Sequence, residues 1–362
     1  MWKYLPLLVL VGALGAPSLV LADTHWAAVN QANESAENSV FAGFSIEASS
    51  EPVPVSDMIS GWDGPFQPGE YAYGDGRIFF GVESQGWTLK REQRWYYYLE
   101  FSEQTSRTFN ALERGEEVGS GRVDLEAWSF ESYGFSLAKT FYPVDGLVIE
   151  PEVSVYRIGH YQFGTLKGFT ESGTNENDLK ASAILDYHFD DDKILDFDGD
   201  QEKGRGVSLN TRLAYSFNQR WAAELLLLDL WNQQTFEQAL FTDGCIEFGN
   251  PSNPLCDAIG VGSGRSGVDS FNSSIPVTLD SAVHYQPWNT QLSYFQHGRY
   301  RRLGATKTWP LGEQRLSLSG YSDKQLGIGW QSRWHRLELS ADDAQAARIR
   351  DVRASLTLRF PW

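Results

Sequence analysis

Asp186 and His188 stand two residues apart in the stretch Leu-Asp-Tyr-His-Phe, a spacing that could support acid–base chemistry. On a strand, side chains two residues apart point to the same face, so the carboxylate could orient the imidazole as a general base. The simpler interpretation is a hydrogen-bonded pair in a polar interior, and we favour it. An enzyme built on this pair stays an alternative, and we assign no catalytic residue.

A dense acidic segment follows this pair. It carries oxygen ligands at alternate positions, which resembles the start of a calcium-binding loop. However, its glycine, Gly199, stands between two of the aspartates, and no bidentate glutamate occupies the last loop position. We therefore expect a solvated turn, with divalent-cation binding as the weaker alternative and no cofactor. The candidate metal ligands are Asp196, Asp198, Asp200 and Glu202.

Arginines are concentrated in the last third of an otherwise acidic chain. They could select anions or bind phosphate groups. We consider pairing with internal carboxylates, such as Glu150, Glu152 and Asp280, the better interpretation. The arginines concerned are Arg299, Arg301, Arg302, Arg348, Arg350, Arg353 and Arg359.

The net charge of −17 argues against nucleic acid as a partner, because phosphate backbones attract basic surfaces. The two cysteines, Cys245 and Cys256, are separated by a short polar stretch with no histidine nearby. In an exported protein, such a pair predicts a disulfide that closes a small loop.

The N-terminal stretch predicts export. Lys3 precedes an apolar run, and Val20 and Ala22 occupy the −3 and −1 positions of a cleavage site. We expect a signal peptide at residues 1–22, a periplasmic or lumen-plugging segment at 23–39, and one domain at 40–362.

The dominant pattern in that domain is an alternation of apolar and polar residues, which is typical of strands with one apolar face. It recurs in at least five segments, and 9 to 11 residues suffice for a strand to cross a membrane. The polar faces supply candidate residues for the interior of a barrel: Glu150, Glu152, His160, Asp186, His188, Arg212, Arg353 and Arg359.

Aromatic residues flank several short connections, whereas long polar connections alternate with them, at about 49–76, 105–121, 164–177 and 233–270. Interfacial aromatics and short periplasmic turns are features of transmembrane barrels. We predict an all-β, antiparallel transmembrane barrel of about 14 strands, within a range of 12 to 16. Candidate strands 193–199 and 325–331 are short. The first requires a periplasmic turn in the sequence His-Phe-Asp-Asp-Asp-Lys-Ile.

The C-terminal strand carries apolar residues at alternate positions and ends on an aromatic: Leu356, Leu358, Phe360 and Trp362. Here the chain resembles the outer-membrane β-barrel proteins of Gram-negative bacteria, whose last strand carries a signal of this kind for the barrel-assembly machinery. Pro361 departs from the pattern because it removes a hydrogen-bond donor. The resemblance implies a bacterial outer-membrane location, with membrane lipids and lipopolysaccharide as partners.

Three functions remain open. The first is a channel or passive conduit for small polar solutes. The second is a solitary autotransporter-like or surface-interaction barrel whose external loops are the functional part, which the apolar Leu226, Leu228 and Leu230 favour by suggesting a partly filled lumen. The third is the enzyme based on Asp186 and His188.

Overall fold

The computed structural model describes residues 38–62, 64–172, 180–190, 203–252, 254–256 and 263–362. Its strands are β1 Ser39–Ser50, β2 Tyr71–Ser84, β3 Trp87–Phe101, β4 Gly121–Lys139, β5 Phe141–Val144, β6 Leu147–Glu171, β7 Lys180–Phe189, β8 Gly204–Ser216, β9 Trp221–Phe248, β10 Ser263–Ser273, β11 Thr278–Tyr285, β12 Thr290–His297, β13 Tyr300–Leu311, β14 Gln314–Tyr321, β15 Leu326–Gln331, β16 His335–Ala341 and β17 Asp351–Pro361. The α-helices are α1 Val55–Ser60 and α2 Glu103–Arg114, and short 3₁₀ helices cover Gln286–Trp288 and Ala346–Arg348. No helix in these ranges is long and apolar enough to cross a membrane.

All paired strands are antiparallel, and β17 pairs with β1 from Ser49↔Asp351 to Ser39↔Pro361, which closes the sheet into a barrel. The barrel has fourteen strands around its wall, so the predicted fold class and strand number are confirmed. Closure leaves no unpaired edge at the seam, and Pro361 causes no break because Trp362 donates its backbone N–H to the carbonyl of Asn38.

Three of the fourteen wall positions are each shared by two successive strands: β4 with β5, β7 with β8, and β10 with β11. β7 pairs with the upper part of β6 and ends where Phe189 faces Gln162, whereas β8 begins where Gly204 faces Ile158. The chain thus continues in one direction through β7 and β8, and the predicted periplasmic turn after His188 is wrong. Candidate strand 193–199 lies outside the described residues, whereas the other short candidate is a wall strand, β15.

The charged sequence Lys-Arg-Glu-Gln-Arg at 90–94 lies inside β3 and not in a turn. The turn is at Gln85 and Gly86, which have φ angles of +50° and +74°, as a tight hairpin requires. Lys90, Glu92 and Arg94 alternate along the strand because their charged side chains face the polar interior of the barrel.

The outer face of the wall is apolar and exposed. Aromatic side chains are exposed beside the short turns, including Trp87, Phe141, Trp288 and Trp334. An even-stranded barrel with such a belt is an outer-membrane β-barrel, and the chain belongs in the bacterial outer membrane. The exposed belt includes Val40, Ile78, Phe80, Leu89, Leu137, Val153, Val155, Leu292, Leu303, Leu318 and Ile328.

The wall is much taller on one side than on the other. β9 has 28 residues, whereas β15 has 6 and β16 has 7. The predicted external loop at 233–270 is therefore mostly strand, because β9 continues to Phe248 and β10 begins at Ser263. The predicted disulfide is confirmed, and it joins Cys245 on β9 to Cys256 beyond its end.

Candidate functional site

The extracellular half of the lumen is filled by aromatic side chains. They come from inward-facing positions on both sides of the barrel and pack into one buried cluster, which we call the aromatic layer. Edge and offset ring pairs of this kind each contribute about 0.5–1.5 kcal/mol beyond their buried area. The aromatic members of the layer are Tyr71, Tyr73, Tyr96, Tyr98, Phe130, Tyr161, Phe163, Phe236, Phe295 and Tyr300, and the aliphatic residues Ile158, Ala239 and Ile275 pack among them.

His297, at the end of β12, is fully buried in this layer. Its Nε2 lies 2.8 Å from Oη of Tyr96, and its Nδ1 lies 2.7 Å from Oγ1 of Thr278. Its ring also packs against Tyr73, with the centroids 4.7 Å apart. Both ring nitrogens thus have hydrogen-bond partners, and the bond to Tyr96 crosses the lumen from β12 to β3.

The turn between β12 and β13 extends this contact outward. Oη of Tyr98 accepts a hydrogen bond from the backbone N–H of Arg299 at 2.8 Å. The Arg299 guanidinium pairs with Glu100 and Glu70, each at 2.8 Å, and its hydrogen bond to Glu100 raises its pKa. We call this set of contacts the hairpin latch, because it ties the β12–β13 hairpin to the opposite wall.

Below the aromatic layer lies a buried ion-pair network. Arg94 binds Asp75 through two nitrogens, at 3.2 and 2.8 Å, and Asp229 through a third at 2.9 Å. Asp229 has a φ of +54°, and its backbone N–H donates to the side-chain oxygen of Asn210. Buried charges are tolerated when they are paired in this way, and the loss of one partner is costly.

A second network fills the lumen near β1, β13 and β16. Arg302 pairs with Glu47, and Arg353 lies 3.9 Å from the same carboxylate. Beside them, a cavity of about 70 Å³ is lined by Asp280 and Leu226, among others. Arg302 and Arg353 thus share Glu47 as their carboxylate and do not pair with Glu150, Glu152 or Asp280 as expected. Leu226 lines the lumen, as its position in the alternating pattern suggested.

The other predicted interior acids have their own partners. Glu150 lies 3.3 Å from Arg212 and accepts a hydrogen bond from Thr140 at 2.6 Å. Glu152 pairs with Lys90 at 3.2 Å. Arg359 pairs with Glu83 at 2.8 Å near the periplasmic end.

His160 does not face the lumen as predicted. A β-bulge shifts the register of β6 against β4 at Gly159, so Ile158 faces Ser132 while His160 faces Glu131. A bulge exchanges the two faces of the strand beyond it. As a result, Tyr161 turns inward, and the His160 side chain is 76% exposed and 2.5 Å from Asp190.

His188 lies in the extracellular half of the wall, because β7 pairs only with the upper part of β6. Its Nδ1 is 3.7 Å from Asp186 and its Nε2 is 3.3 Å from Asp269. The ring stacks on Phe271 with a centroid separation of 3.9 Å. The predicted pair is therefore adjacent, but its imidazole is packed against an aromatic ring at the border of the aromatic layer.

Several predicted positions lie outside the described residues: the signal peptide, most of segment 23–39, and Asp196, Asp198, Asp200 and Glu202. Among described residues, no group of three or more side chains is arranged to hold a metal. The C-terminal residues lie on or just after β17, and their role as an assembly signal stays a prediction.

The central residues of the lumen, Tyr96, His297, Arg94 and Asp229, were missed by sequence reasoning. The sequence carried a signal for Arg94 and Tyr96. Together with Tyr98 they stand at alternate positions of β3, so all three side chains lie on one face of the strand. His297 and Asp229 carried no comparable signal, since each acquires its role only from a partner across the barrel.

No family model matches the chain, and no curated protein matches it by sequence. Among solved structures, it is similar to the "TodX deltaS2S3 mutant monoaromatic hydrocarbon channel", with 12% identity and a TM-score of 0.42 over 96% of both chains. It is also similar to the Pseudomonas putida toluene transporter TodX, with 11% identity and a TM-score of 0.32 over 94% of both chains. A Pseudomonas aeruginosa FadL homologue has 11% identity and a TM-score of 0.29, over 91% of this chain and 90% of that chain. Likenesses this weak say nothing about the solute of this chain.

Proposed function

We propose that the chain is an outer-membrane channel, closed in this conformation, for small solutes that combine an aromatic or apolar part with a polar group. The observation that carries this proposal is the order of two layers along one lumen. A solute from outside would meet the aromatic layer first and the ion-pair networks next. From the sequence we expected small polar solutes, and we now propose solutes that also carry an aromatic or apolar part. Aromatic rings offer a purely polar solute few hydrogen bonds to replace those it makes with water.

Because the lumen is closed in this structure, a gated channel is better supported than a permanently open pore. The aromatic layer occupies the upper lumen, and the 70 Å³ cavity below it has room for only a few water molecules. The hairpin latch offers a means of opening, because it ties a short hairpin to the opposite wall through Tyr98, Glu100 and Glu70. Release of these bonds would free the β12–β13 hairpin to move away from β3.

The test is flux through the mature protein reconstituted in liposomes, with benzoate and gluconate as matched anions with and without an aromatic ring. We expect faster uptake of benzoate, and we expect Arg299→Gln to raise the flux of both by weakening the latch. Heat-modifiable gel mobility establishes that each barrel is folded. Absence of flux in both folded proteins would remove the channel proposal.

The surface-interaction barrel remains the second candidate, because one side of the wall rises well above the other. β9 and β10 continue far beyond the short strands opposite, and the disulfide secures the end of β9. If the wild type and Arg299→Gln are both folded but show no flux, the surface-interaction function would be favoured.

A further inference from the structure

Two arginines face each other on the outer wall of the barrel. Arg157 on β6 is the register partner of Arg205 on β8, and both side chains are exposed. The row directly below them on the same face is formed by Val155 and Val207, which are 53% and 36% exposed. We call Arg157 and Arg205 the arginine pair. It begins where the lipid-facing apolar surface of these two strands ends.

The height of the arginine pair follows from strand geometry. Arg157 is about ten residues above Leu147, where β6 begins at the periplasmic turn; at about 3.4 Å per residue and a tilt of about 40°, this corresponds to roughly 25 Å. The apolar band of an outer-membrane barrel is also about 25 Å tall. The two guanidinium groups therefore lie at the level of the headgroups of the extracellular leaflet.

The arginine pair has no carboxylate partner among the described residues. Like charges directly opposite on neighbouring strands destabilise a sheet. Two carboxylates on the adjoining wall are already engaged, since Glu131 accepts a hydrogen bond from Gln93 at 2.7 Å and Asp190 lies 2.5 Å from His160. An anion held between the two guanidinium groups would remove this repulsion.

We propose that the arginine pair binds phosphate groups of lipid headgroups in the extracellular leaflet. Guanidinium groups bind phosphate through two parallel hydrogen bonds, and two facing forks can hold one phosphate from both sides. Lys203, exposed just before β8, adds a third positive charge beside the site. The site lies on the outside of the wall, so it is independent of the solute and of the hairpin latch.

The test compares binding of bisphosphorylated lipid A and its dephosphorylated form to the detergent-solubilised mature protein, by native mass spectrometry. The double variant Arg157→Gln/Arg205→Gln removes the arginine pair. Arg301→Gln is the matched control, because Arg301 is also exposed on the outer wall, beside the lipid-facing Leu303, but faces Gln296 and not a second arginine.

We expect the wild type and Arg301→Gln to bind bisphosphorylated lipid A alike, and the double variant to lose at least about tenfold in affinity. Unchanged binding by the double variant would overturn the proposal, as would equal binding of the dephosphorylated lipid. Displacement of lipid A by equimolar inorganic phosphate would also overturn it, since free phosphate would then be the ligand. If the double variant fails to refold, the single variant Arg205→Gln is tested in its place. Reduced binding of bisphosphorylated lipid A would then support the proposal, and unchanged binding would overturn it.

Discussion

Tyr96 and His297 meet across the lumen, with 2.8 Å between Oη and Nε2, although 201 residues separate them in the chain. This hydrogen bond lies within the aromatic layer and joins the two sides of the barrel that a solute would have to pass between. Removal of this hydrogen bond is therefore the most direct test of what holds the lumen closed.

Tyr96→Phe is expected to destabilise the closed conformation. The change keeps the ring but leaves one buried nitrogen of His297 without its partner, which costs about 1–3 kcal/mol. Single-channel recordings in planar bilayers should show more frequent opening than in the wild type. Tyr133→Phe, on the outward face of β4, is the control and should behave as the wild type; the same gating in all three proteins would mean that this bond does not hold the lumen closed.

Gly298→Ala should open the hairpin latch. Gly298 has a φ of +54°, and a Cβ there would lie 2.2 Å from Oη of Tyr98. Gly312→Ala is the matched control, because Gly312 has a φ of +67° but no atom within 4 Å of its added Cβ. Both variants carry backbone strain, whereas only the first has the clash. Equal conductance in the two would contradict the role of the latch.

Arg94→Gln should destabilise the folded barrel by about 3–5 kcal/mol, because Asp229 would be left buried without a cation and Asp75 would keep only Arg77. Urea unfolding in detergent, followed by tryptophan fluorescence, measures this change. Arg122→Gln breaks a pair with Asp124 whose arginine is 77% exposed, and it should cost no more than about 1 kcal/mol. A similar loss of unfolding free energy in both variants would contradict the role of Arg94 as a buried cation of the ion-pair network.

Replacement of both Cys245 and Cys256 by serine should loosen the top of the tall wall without opening the lumen. The disulfide joins the end of β9 to the segment that follows it, whereas the hairpin latch joins the β12–β13 turn to β3 and Glu70. Limited proteolysis should cut the variant faster near residues 245–256, while its conductance matches the wild type. A change in conductance with no change in cleavage would contradict this separation.

Trp362→Ala should lower the yield of assembled barrel in cells, if the C-terminal residues act as the predicted assembly signal. The yield is read from heat-modifiable protein in the membrane fraction. Ser322→Ala, in the external turn between β14 and β15, is the control for expression. An unchanged yield with Trp362→Ala would remove Trp362 from the signal.

Much of the barrel could be predicted from local sequence patterns. Alternation on β6, β8 and β17 indicated strands, and aromatics beside short turns indicated the membrane border, because each signal arises within a few residues. The strand number was predictable only approximately, since the sequence does not show that β7 and β8 share one position in the wall. The disulfide was predictable because two cysteines in an exported chain have one possible intramolecular pairing.

The sequence alone thus determined the class of fold, the location and the disulfide, because these depend on local periodicity and on composition. The tertiary structure decided which residues face and touch one another. The bulge at Gly159 reversed the face of His160, barrel closure selected Glu47 as the acceptor for Arg302, and packing across the lumen placed His297 against Tyr96. The last two contacts join residues 255 and 201 positions apart, and no local pattern encodes which of many similar side chains will meet.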